Sequence, residues 1–228
     1  MKIGIHQPNF LPWSGYFHKI LKSDKFLFLD DAMVSKKNLD YINRSSFLTS
    51  GKIKYFTIPI YKNFKQKKIK DLEIDNSKNW KVDFFNFISE NYKGAEFYKK
   101  YESLFFNIKN REFKNLIELN VFFIYRICDL LKIKKNFLFS SNYKLNSTST
   151  YRLVELIKLS NGTEYLSGQG GKKYLDEKMF KKNQINLNYL NYKQVDYNQQ
   201  KSNKFIPGLS ILDEIMNKDI NELTENLK

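Results

Sequence analysis

Cysteine, histidine and arginine are scarce in this 228-residue chain, and the first two scarcities exclude whole classes of site. Cys128 is the only cysteine, so the chain can form neither an intramolecular disulfide nor a cluster of thiolate ligands. The two histidines, His6 and His18, are too few for a zinc site built on imidazoles. We therefore predict no metal centre.

Long apolar runs are also missing, and we expect no cleavable leader. The most apolar helical pattern, at 121–131, is interrupted by Arg126 and Asp129, whereas a bilayer span needs about 20 mostly apolar residues. The first residues, MKIGIHQP, lack the apolar core and the small-residue cleavage site of a signal peptide. We expect a cytoplasmic protein without a transmembrane segment.

Glycine and proline are few as well, at 9 and 4 residues, while hydrophobic residues make up 42% of the chain and aromatic residues 16%. This composition excludes a fibrous, linker-like or mainly disordered protein, because it supplies ample apolar surface for a core. No internal repeat and no linker rich in proline, glycine or serine divides the sequence. A single domain over 1–228 is therefore predicted.

The net charge of +15 favours anionic partners, but its composition argues against a nucleic-acid reader. The chain has 35 lysines, scattered through every segment, and only 4 arginines. Proteins that read nucleic acids favour arginine, because its planar guanidinium makes bidentate contacts with bases and phosphates. We expect no nucleic-acid partner, although the dense lysine run at 62–70 remains a candidate patch for an anionic ligand.

Hydrophobic periodicity predicts an α/β fold. The predicted strands are 2–6, 25–29, 72–74, 137–140, 164–166 and 185–195, with a hairpin of 41–49 and 53–60. The predicted helices are 13–21, 80–92, 97–106, 113–131, 149–159, 174–180 and 209–216, and a polar loop extends to 204. A strand, loop, helix and strand in the first 30 residues favour a Rossmann-like, mostly parallel sheet, with a helical insertion at 76–132.

Polar residues directly follow the first predicted strand. His6 ends that strand, and Gln7 and Asn9 lie in a loop that Pro8 and Pro12 keep from continuing as a strand. Ligands of open α/β sheets bind outside the carboxyl ends of the strands, so we predict that His6 and Gln7 are catalytic and that Asn9 binds substrate. The alternative is a structural histidine whose hydrogen bonds are satisfied within the protein.

Two carboxylates follow the next predicted strand. Asp30 and Asp31 would point to opposite faces of an extended chain, and we assign Asp31 to the same cleft as His6, as a catalytic base or amine-orienting group. Arg44 stands out because arginine is scarce, and we predict that it binds substrate through a planar bidentate contact with a carboxylate or phosphate. A structural ion pair is the alternative for Arg44.

A glycine-rich turn follows the strand predicted at 164–166. Three of the 9 glycines lie within four residues, after Tyr165 and Ser167 and before a predicted helix: Gly168, Gly170 and Gly171. Such a turn exposes backbone N–H groups to phosphate or carboxylate, so we predict that these five residues bind substrate. We also expect a positive φ at Gly170. A tight turn that binds no ligand is the alternative.

These residues belong to a set of specific motifs that spans essentially the whole chain. The motifs are HQPNFLPW at 6–13, GYF at 15–17 with Lys19-Ile20, FLDD at 28–31, Asn43-Arg44, TIP at 57–59, YLSGQGG at 165–171 and LSILD at 209–213. Together they resemble the WbqC-like protein family. That resemblance implies a role in the biosynthesis of bacterial lipopolysaccharide O-antigen and other surface polysaccharides, in which a sugar precursor is made or modified.

The resemblance leads to one enzymatic hypothesis and one alternative. The enzyme would transfer an acyl or aminoacyl group, such as glycyl, to the amine of a nucleotide-linked amino-dideoxy sugar by forming an amide. A weaker topological likeness to nucleotidyltransferases and ligases with the HIGH motif leaves ATP with Mg²⁺ as one way to activate the acyl donor. The alternative is a non-catalytic binding module of a glycan assembly complex. The sequence leaves the oligomeric state open.

Overall fold

The computed structural model describes residues 1–200, 202 and 204–228, and a parallel sheet of five strands forms its centre. The strands are β1 Lys2–His6, β2 Lys25–Phe28, β3 Arg44–Thr49, β4 Lys52–Thr57, β5 Asn136–Phe139, β6 Glu164–Ser167 and β7 Asn186–Tyr189. The central sheet has the order β5-β2-β1-β6-β7, and every neighbouring pair is parallel. Counted along the chain, this order is 3-2-1-4-5, the order of Rossmann folds. The predicted α/β, Rossmann-like fold is confirmed.

Helices lie on both faces of this sheet and also form the middle and the end of the described chain. The helices are α1 Ser14–Lys22, α2 Lys36–Ile42, α3 Trp80–Tyr92, α4 Tyr98–Tyr101, α5 Ser103–Phe106, α6 Leu116–Leu130, α7 Ser149–Leu159, α8 Glu177–Lys182, α9 Ile211–Asn217 and α10 Ile220–Asn226. In β1, Ile3 and Ile5 alternate with Gly4 and His6, so the two isoleucines pack under α7 while His6 faces α1. Among the described residues, no helix combines the length and apolarity needed to cross a bilayer.

The helical middle of the chain shares an aromatic core with the sheet. Phe10, in the loop after β1, lies 6.0 Å from both Phe84 of α3 and Phe123 of α6, measured between ring centroids. Edge-to-face aromatic pairs of this kind stabilise a core beyond the area they bury. Phe28 of β2 contacts Tyr125 of α6 in the same cluster. The helices of the insertion therefore support the loop that carries His6.

Several element boundaries differ from the sequence prediction. Residues 41 and 42 end helix α2 instead of beginning a strand, because a capping box between Ser35 and Asn38 starts a helix there. The segment 97–106 forms two short helices, and the strand predicted at 72–74 is reduced to isolated bridges.

Later boundaries differ for similar local reasons. After the glycine-rich turn, the next helix begins at Glu177, since Asp176 caps it by accepting from the Met179 N–H. The additional helix α10 is capped by Asp219. Strand β7 ends at Tyr189, and the polar loop predicted up to 204 includes Lys201 and Asn203, which lie outside the described residues.

Candidate functional site

The central sheet opens at the carboxyl end of β1. The ladder between β1 and β2 continues to the pair His6 and Phe28, whereas the ladder between β1 and β6 stops at Gly4 and Leu166. The strand order reverses direction between β1 and β6, so this gap is the topological switch point of the sheet. Open α/β sheets bind ligands in the crevice at such a point. We call this gap, with the loop after β1 and the turn after β6, the switch crevice.

Lys19 of α1 reaches into the gap between the two parted strands. Its Nζ donates to the carbonyl oxygen of Ile5 at 2.6 Å, and the next carbonyl, that of His6, accepts from Leu29 on the β2 side. Successive carbonyls of a strand point in opposite directions, so the Ile5 carbonyl faces β6. A lysine ammonium has replaced the strand N–H that would otherwise occupy this position.

The environment of Lys19 is unusual for a cation. The side chain is only 3% exposed, its Nζ lies 5.8 Å from the ring centroid of Tyr165, and burial lowers its pKa to about 7. Among the described residues, no carboxylate forms an ion pair with it. Sequence reasoning gave Lys19 no role, because one lysine among 35 carries no signal beyond its place in the motif near Gly15.

His6 is held as a neutral ring with one free nitrogen. Its Nδ1 lies 3.1 Å from the Gln7 carbonyl oxygen, which can only accept, so Nδ1 carries the ring proton. Its Nε2 has no partner among the described residues. Burial, and next the charge of Lys19, lower the pKa of His6 to about 3. The imidazole can therefore accept a hydrogen bond at Nε2 throughout the neutral pH range.

Aromatic packing and backbone bonds fix the loop that carries His6. The ring lies edge-on to Tyr16 at 4.9 Å and to Trp13 at 5.9 Å, and the Tyr16 hydroxyl donates to the Gln7 carbonyl. Asn120 of α6 donates to the carbonyl of Pro8, which ties the loop to the insertion. The loop is therefore held from both α1 and α6.

The two predicted amides of this loop differ in access. Gln7 is half-buried at the crevice, so its side-chain amide can reach a ligand there. Asn9 is only 2% exposed, and its Oδ1 has no hydrogen-bond partner among the described residues. The structure therefore brings Gln7 to the crevice next to His6, with Asn9 buried behind it.

The predicted glycine-rich turn forms the other wall of the switch crevice. It continues from β6 into a 3-10 turn, Gln169–Lys173, and the backbone N–H groups of Gln169 and Gly170 have no partner in the described part of the chain. Tyr165 stacks on Phe180, and Ser167 is buried at the start of the turn. Free N–H groups of this kind can receive an anionic oxygen.

The three glycines of the turn differ in what the fold requires. A Cβ built on Gly168 or Gly170 meets no atom within 4 Å, whereas one on Gly171 would lie 2.2 Å from Ser167 Oγ. The expectation of a positive φ at Gly170 is wrong, since φ is positive only at Gly51 and Gly208 among the described glycines. Of these three positions, packing within the chain requires glycine only at Gly171. At Gly168 and Gly170 a side chain would stand in open space.

Asp30 and Asp31 are engaged within the protein. The strand ends at Phe28, so both carboxylates follow a curved segment and both contact the Ser140 hydroxyl, contrary to the opposite orientations expected of an extended chain. The second oxygen of Asp31 accepts from Arg152 of α7 at 2.5 Å. Neither oxygen of Asp31 is left free for a substrate in this structure.

We predict that Asp31→Asn lowers the free energy of unfolding by about 2 kcal/mol, because it leaves the Arg152 guanidinium with a weaker partner in a mostly buried position. The side chains of Asp31 and Arg152 are only 9% and 14% exposed. Urea unfolding measures the change. The matched control is Asp40→Asn, whose exposed ion pair with Arg44 should contribute less than about 0.5 kcal/mol. Equal effects of the two substitutions would contradict this prediction.

Arg44 lies on the separate two-stranded sheet formed by β3 and β4. Its guanidinium carbon lies 4.6 Å from the ring centroid of Tyr55, and it pairs with Asp40 at 3.3 Å. These contacts agree with the alternative hypothesis, in which Arg44 forms a structural ion pair. The structure does not bring Arg44 together with His6.

A pair of buried carboxyl groups was missed by sequence reasoning. Asp213 of α9 accepts from the hydroxyls of Tyr92 and Tyr197 at 2.7 and 2.8 Å, and Glu214 accepts from Gln194 at 2.9 Å. Burial raises the pKa of both carboxyls. Glu214 lies beside Ser14, so this network covers the start of α1, the position that binds phosphate in many Rossmann folds. The only signal was the motif that ends at Asp213.

Two depressions of the surface lie away from the switch crevice. One of about 640 Å³ is bounded by Trp80, Phe85 and Phe113 of the insertion, and another of about 600 Å³ lies between Glu177 and Leu187. In the described part of the chain, no three histidine, cysteine or acidic side chains gather as metal ligands would. The switch crevice is therefore distinguished by topology and buried charge, and not by volume.

Comparison with known proteins identifies the relatives of this chain. The family model described as the WbqC-like protein family matches residues 7–225. Uncharacterized protein Rv1507c of Mycobacterium tuberculosis (strain ATCC 25618 / H37Rv) is 31% identical over 218 residues, which cover 95% of this chain and 93% of that protein. No solved structure matches the chain. The match along almost its entire length means that the chain belongs to the WbqC-like protein family.

Proposed function

We propose that this protein is an amide-forming transferase of surface-glycan biosynthesis. It moves an acyl or aminoacyl group, such as glycyl, onto the amine of a nucleotide-linked amino-dideoxy sugar. The observation that carries the proposal is a neutral imidazole with a free Nε2 at the topological switch point of a Rossmann-type sheet. The sugar part of the proposal comes from the family resemblance.

The neutral imidazole suits an amine acceptor. An amine attacks only when it is unprotonated and its lone pair points at the acyl carbon. Nε2 of His6 accepts a hydrogen bond from the amine N–H and so orients that lone pair, and its low pKa keeps it neutral at physiological pH. His6 cannot donate to an oxyanion through Nδ1, because the Gln7 carbonyl already accepts that proton. The half-buried side-chain amide of Gln7 is the better donor to the developing oxyanion.

The glycine-rich turn suits the phosphates of a nucleotide-linked sugar. Gly168 and Gly170 are open where a side chain would stand, so an oxygen ligand can approach the free N–H groups of Gln169 and Gly170. Lys172 and Lys173 are exposed at this turn and add a screened attraction for an anion. The start of α1 is less suited, because Glu214 and Tyr192 cover it.

The reaction then balances as an acyl transfer. The amine nitrogen forms a bond to the acyl carbon, the bond between that carbon and its leaving group breaks, and the leaving group departs with the electron pair. The amine proton passes to the leaving group or to solvent. A ring with a pKa of about 3 is too weak a base to take that proton, so His6 orients the amine through a hydrogen bond and does not carry the proton.

The test is an incubation of the purified protein with nucleotide-linked amino-dideoxy sugars and acyl donors, including acyl thioesters and glycine with ATP and Mg²⁺. Mass spectrometry should detect an amide-bearing product, and a matched sugar with a hydroxyl in place of the amine should give none. No product and no binding across several sugars and donors would overturn the proposal. Binding of the sugar without turnover for any donor would instead favour the non-catalytic binding module.

A further inference from the structure

Lys19 is a buried cation at the switch crevice, and the reaction above gives it no part. Buried charges in proteins are usually paired, because removing an ion from water costs several kcal/mol. An ammonium carries three N–H donors. In Lys19 one N–H bonds to the Ile5 carbonyl and the face of Tyr165 lies nearby, which leaves at least one donor and the whole charge without an anionic partner among the described residues.

We infer that the ammonium of Lys19, in the gap between β1 and β6, binds a phosphate oxygen of the substrate. The inference rests on the proposed function and deepens it, because it names the group that recognises the nucleotide diphosphate. The gap opens between the loop of His6 and the turn after Ser167, so an anion seated on the turn lies over the same opening. The bound phosphate supplies the negative charge that no described carboxylate provides to Lys19.

The inference predicts how affinity depends on pH. In the free protein Lys19 has a pKa of about 7, and a bound phosphate raises it by favouring the charged form. Below pH 7 the lysine is already charged and affinity is at its full value. Above pH 7 binding requires uptake of a proton, so affinity should fall by about tenfold per pH unit until the pKa of the complex is reached.

The neighbouring groups do not titrate in that range. His6 stays neutral above pH 7 because its pKa is about 3, and burial raises the pKa of both Tyr16 and Tyr165 above the usual value for tyrosine. Glu214 lies at the opposite end of α1, beside Ser14. A fall of affinity for UDP between pH 7 and pH 9 that is absent from the Lys19 variants therefore reports Lys19.

The experiment measures the binding of UDP, inorganic pyrophosphate and uridine by calorimetry from pH 7 to pH 9. Lys19→Met and Lys19→Gln remove the charge, and the glutamine keeps a donor for the Ile5 carbonyl in case the methionine variant fails to fold. Lys22→Met, which removes an exposed lysine of the same helix, is the matched control. We expect UDP and pyrophosphate to bind at least 10-fold more weakly to both Lys19 variants, without the fall of UDP affinity from pH 7 to pH 9, while Lys22→Met behaves as wild type.

A second measurement needs no variant. Carbon-13 spectra of labelled lysine side chains should contain a resonance with a midpoint near pH 7, and pyrophosphate should move that midpoint upward.

The outcomes separate this inference from the proposed function. Lys19-dependent binding of pyrophosphate without any binding of UDP would keep the inference and remove the nucleotide from the proposed substrate. Equal affinity and equal pH dependence in wild type and Lys19→Gln would overturn the inference, even if amide formation is found. Failure of wild type to bind either anion, or a lysine midpoint that pyrophosphate does not move, would overturn it as well.

Discussion

Replacement of His6 by alanine is expected to lower turnover by about 10²-fold or more while the protein stays folded. The loss corresponds to one hydrogen bond that orients the amine for attack, and loss of such orientation can cost about 10²-fold in rate. The ring lies edge-on to Trp13 and Tyr16, but among the described residues its hydrogen-bond partner is the adjacent Gln7 carbonyl alone. Turnover per folded molecule, measured by product formation and circular dichroism together, checks the prediction.

His18 provides the matched control for His6. It is the other histidine of the chain, it lies on the neighbouring helix α1, and its Nδ1 bonds to the Leu227 carbonyl at 2.6 Å. His18→Ala leaves that buried carbonyl without its partner, so it should cost about 1 to 3 kcal/mol of stability and leave turnover per folded molecule unchanged. If His6→Ala instead destabilises the protein and spares turnover, His6 is the structural histidine of the alternative hypothesis.

The low pKa of His6 also predicts how the stability of the protein depends on pH. The neutral ring is favoured in the folded protein, so its contribution to stability is complete above the unfolded value of about 6.5 and is lost as pH falls toward 3. His6→Ala should therefore flatten the decline of stability across that acidic range. A wild-type rate profile with an inflection near pH 6.5 that vanishes in His6→Ala would contradict a neutral His6.

The sequence predicted the sheet and the position of the crevice because both follow from local patterns. The strands at 2–6 and 25–29 are short apolar runs, and polar residues after a strand end must lie at one edge of a parallel sheet. The hairpin of β3 and β4 likewise follows from a short connection around Gly51. Helix α2 escaped this reasoning, because its signal is a capping box and not an apolar stripe.

The partners of the candidate site residues depend on contacts that no local pattern contains. Asp31 pairs with Arg152, which lies 121 residues away, so its carboxylate could be located in the sequence but its engagement could not. Lys19 is hidden for another reason. The chain has many solvated lysines, and no local pattern distinguishes Lys19 from them. Its burial follows from the separation of β1 from β6, which is a long-range feature of the sheet.

Protein groups fill the start of α1, and for this reason we propose that the anion binds at the turn after β6 instead. In many Rossmann proteins the first helix offers its N-terminus to phosphate. Here the Tyr192 hydroxyl donates to Ser14, and a Cβ on Gly15 would collide with Trp13 and Tyr192, so protein groups already fill that position. The opposite side of the same gap remains open at Gly168 and Gly170.

Gly170→Val is expected to reduce the binding of a nucleotide-linked sugar by at least about 10²-fold while leaving the fold intact. The position is exposed, its φ is not positive, and a Cβ there meets no protein atom, so the protein itself tolerates the side chain. The branched side chain would instead occupy the space through which an oxygen ligand approaches the free backbone N–H groups. Calorimetric binding and thermal unfolding of the same sample separate the two effects.

Substitution of the neighbouring glycine, Gly171→Ala, is the control, because it should lower stability more than it lowers binding. Its Cβ would lie 2.2 Å from Ser167 Oγ and 2.9 Å from Leu175 Cδ1, so the turn must shift and stability should fall by about 1 to 3 kcal/mol. Affinity of wild type should also weaken modestly with salt, since Lys172 and Lys173 attract the anion through solvent. If Gly170→Val unfolds the protein, or stays folded and binds as tightly as wild type, the turn after β6 does not bind the phosphate, and the free N–H groups of Gln169 and Gly170 are merely solvated.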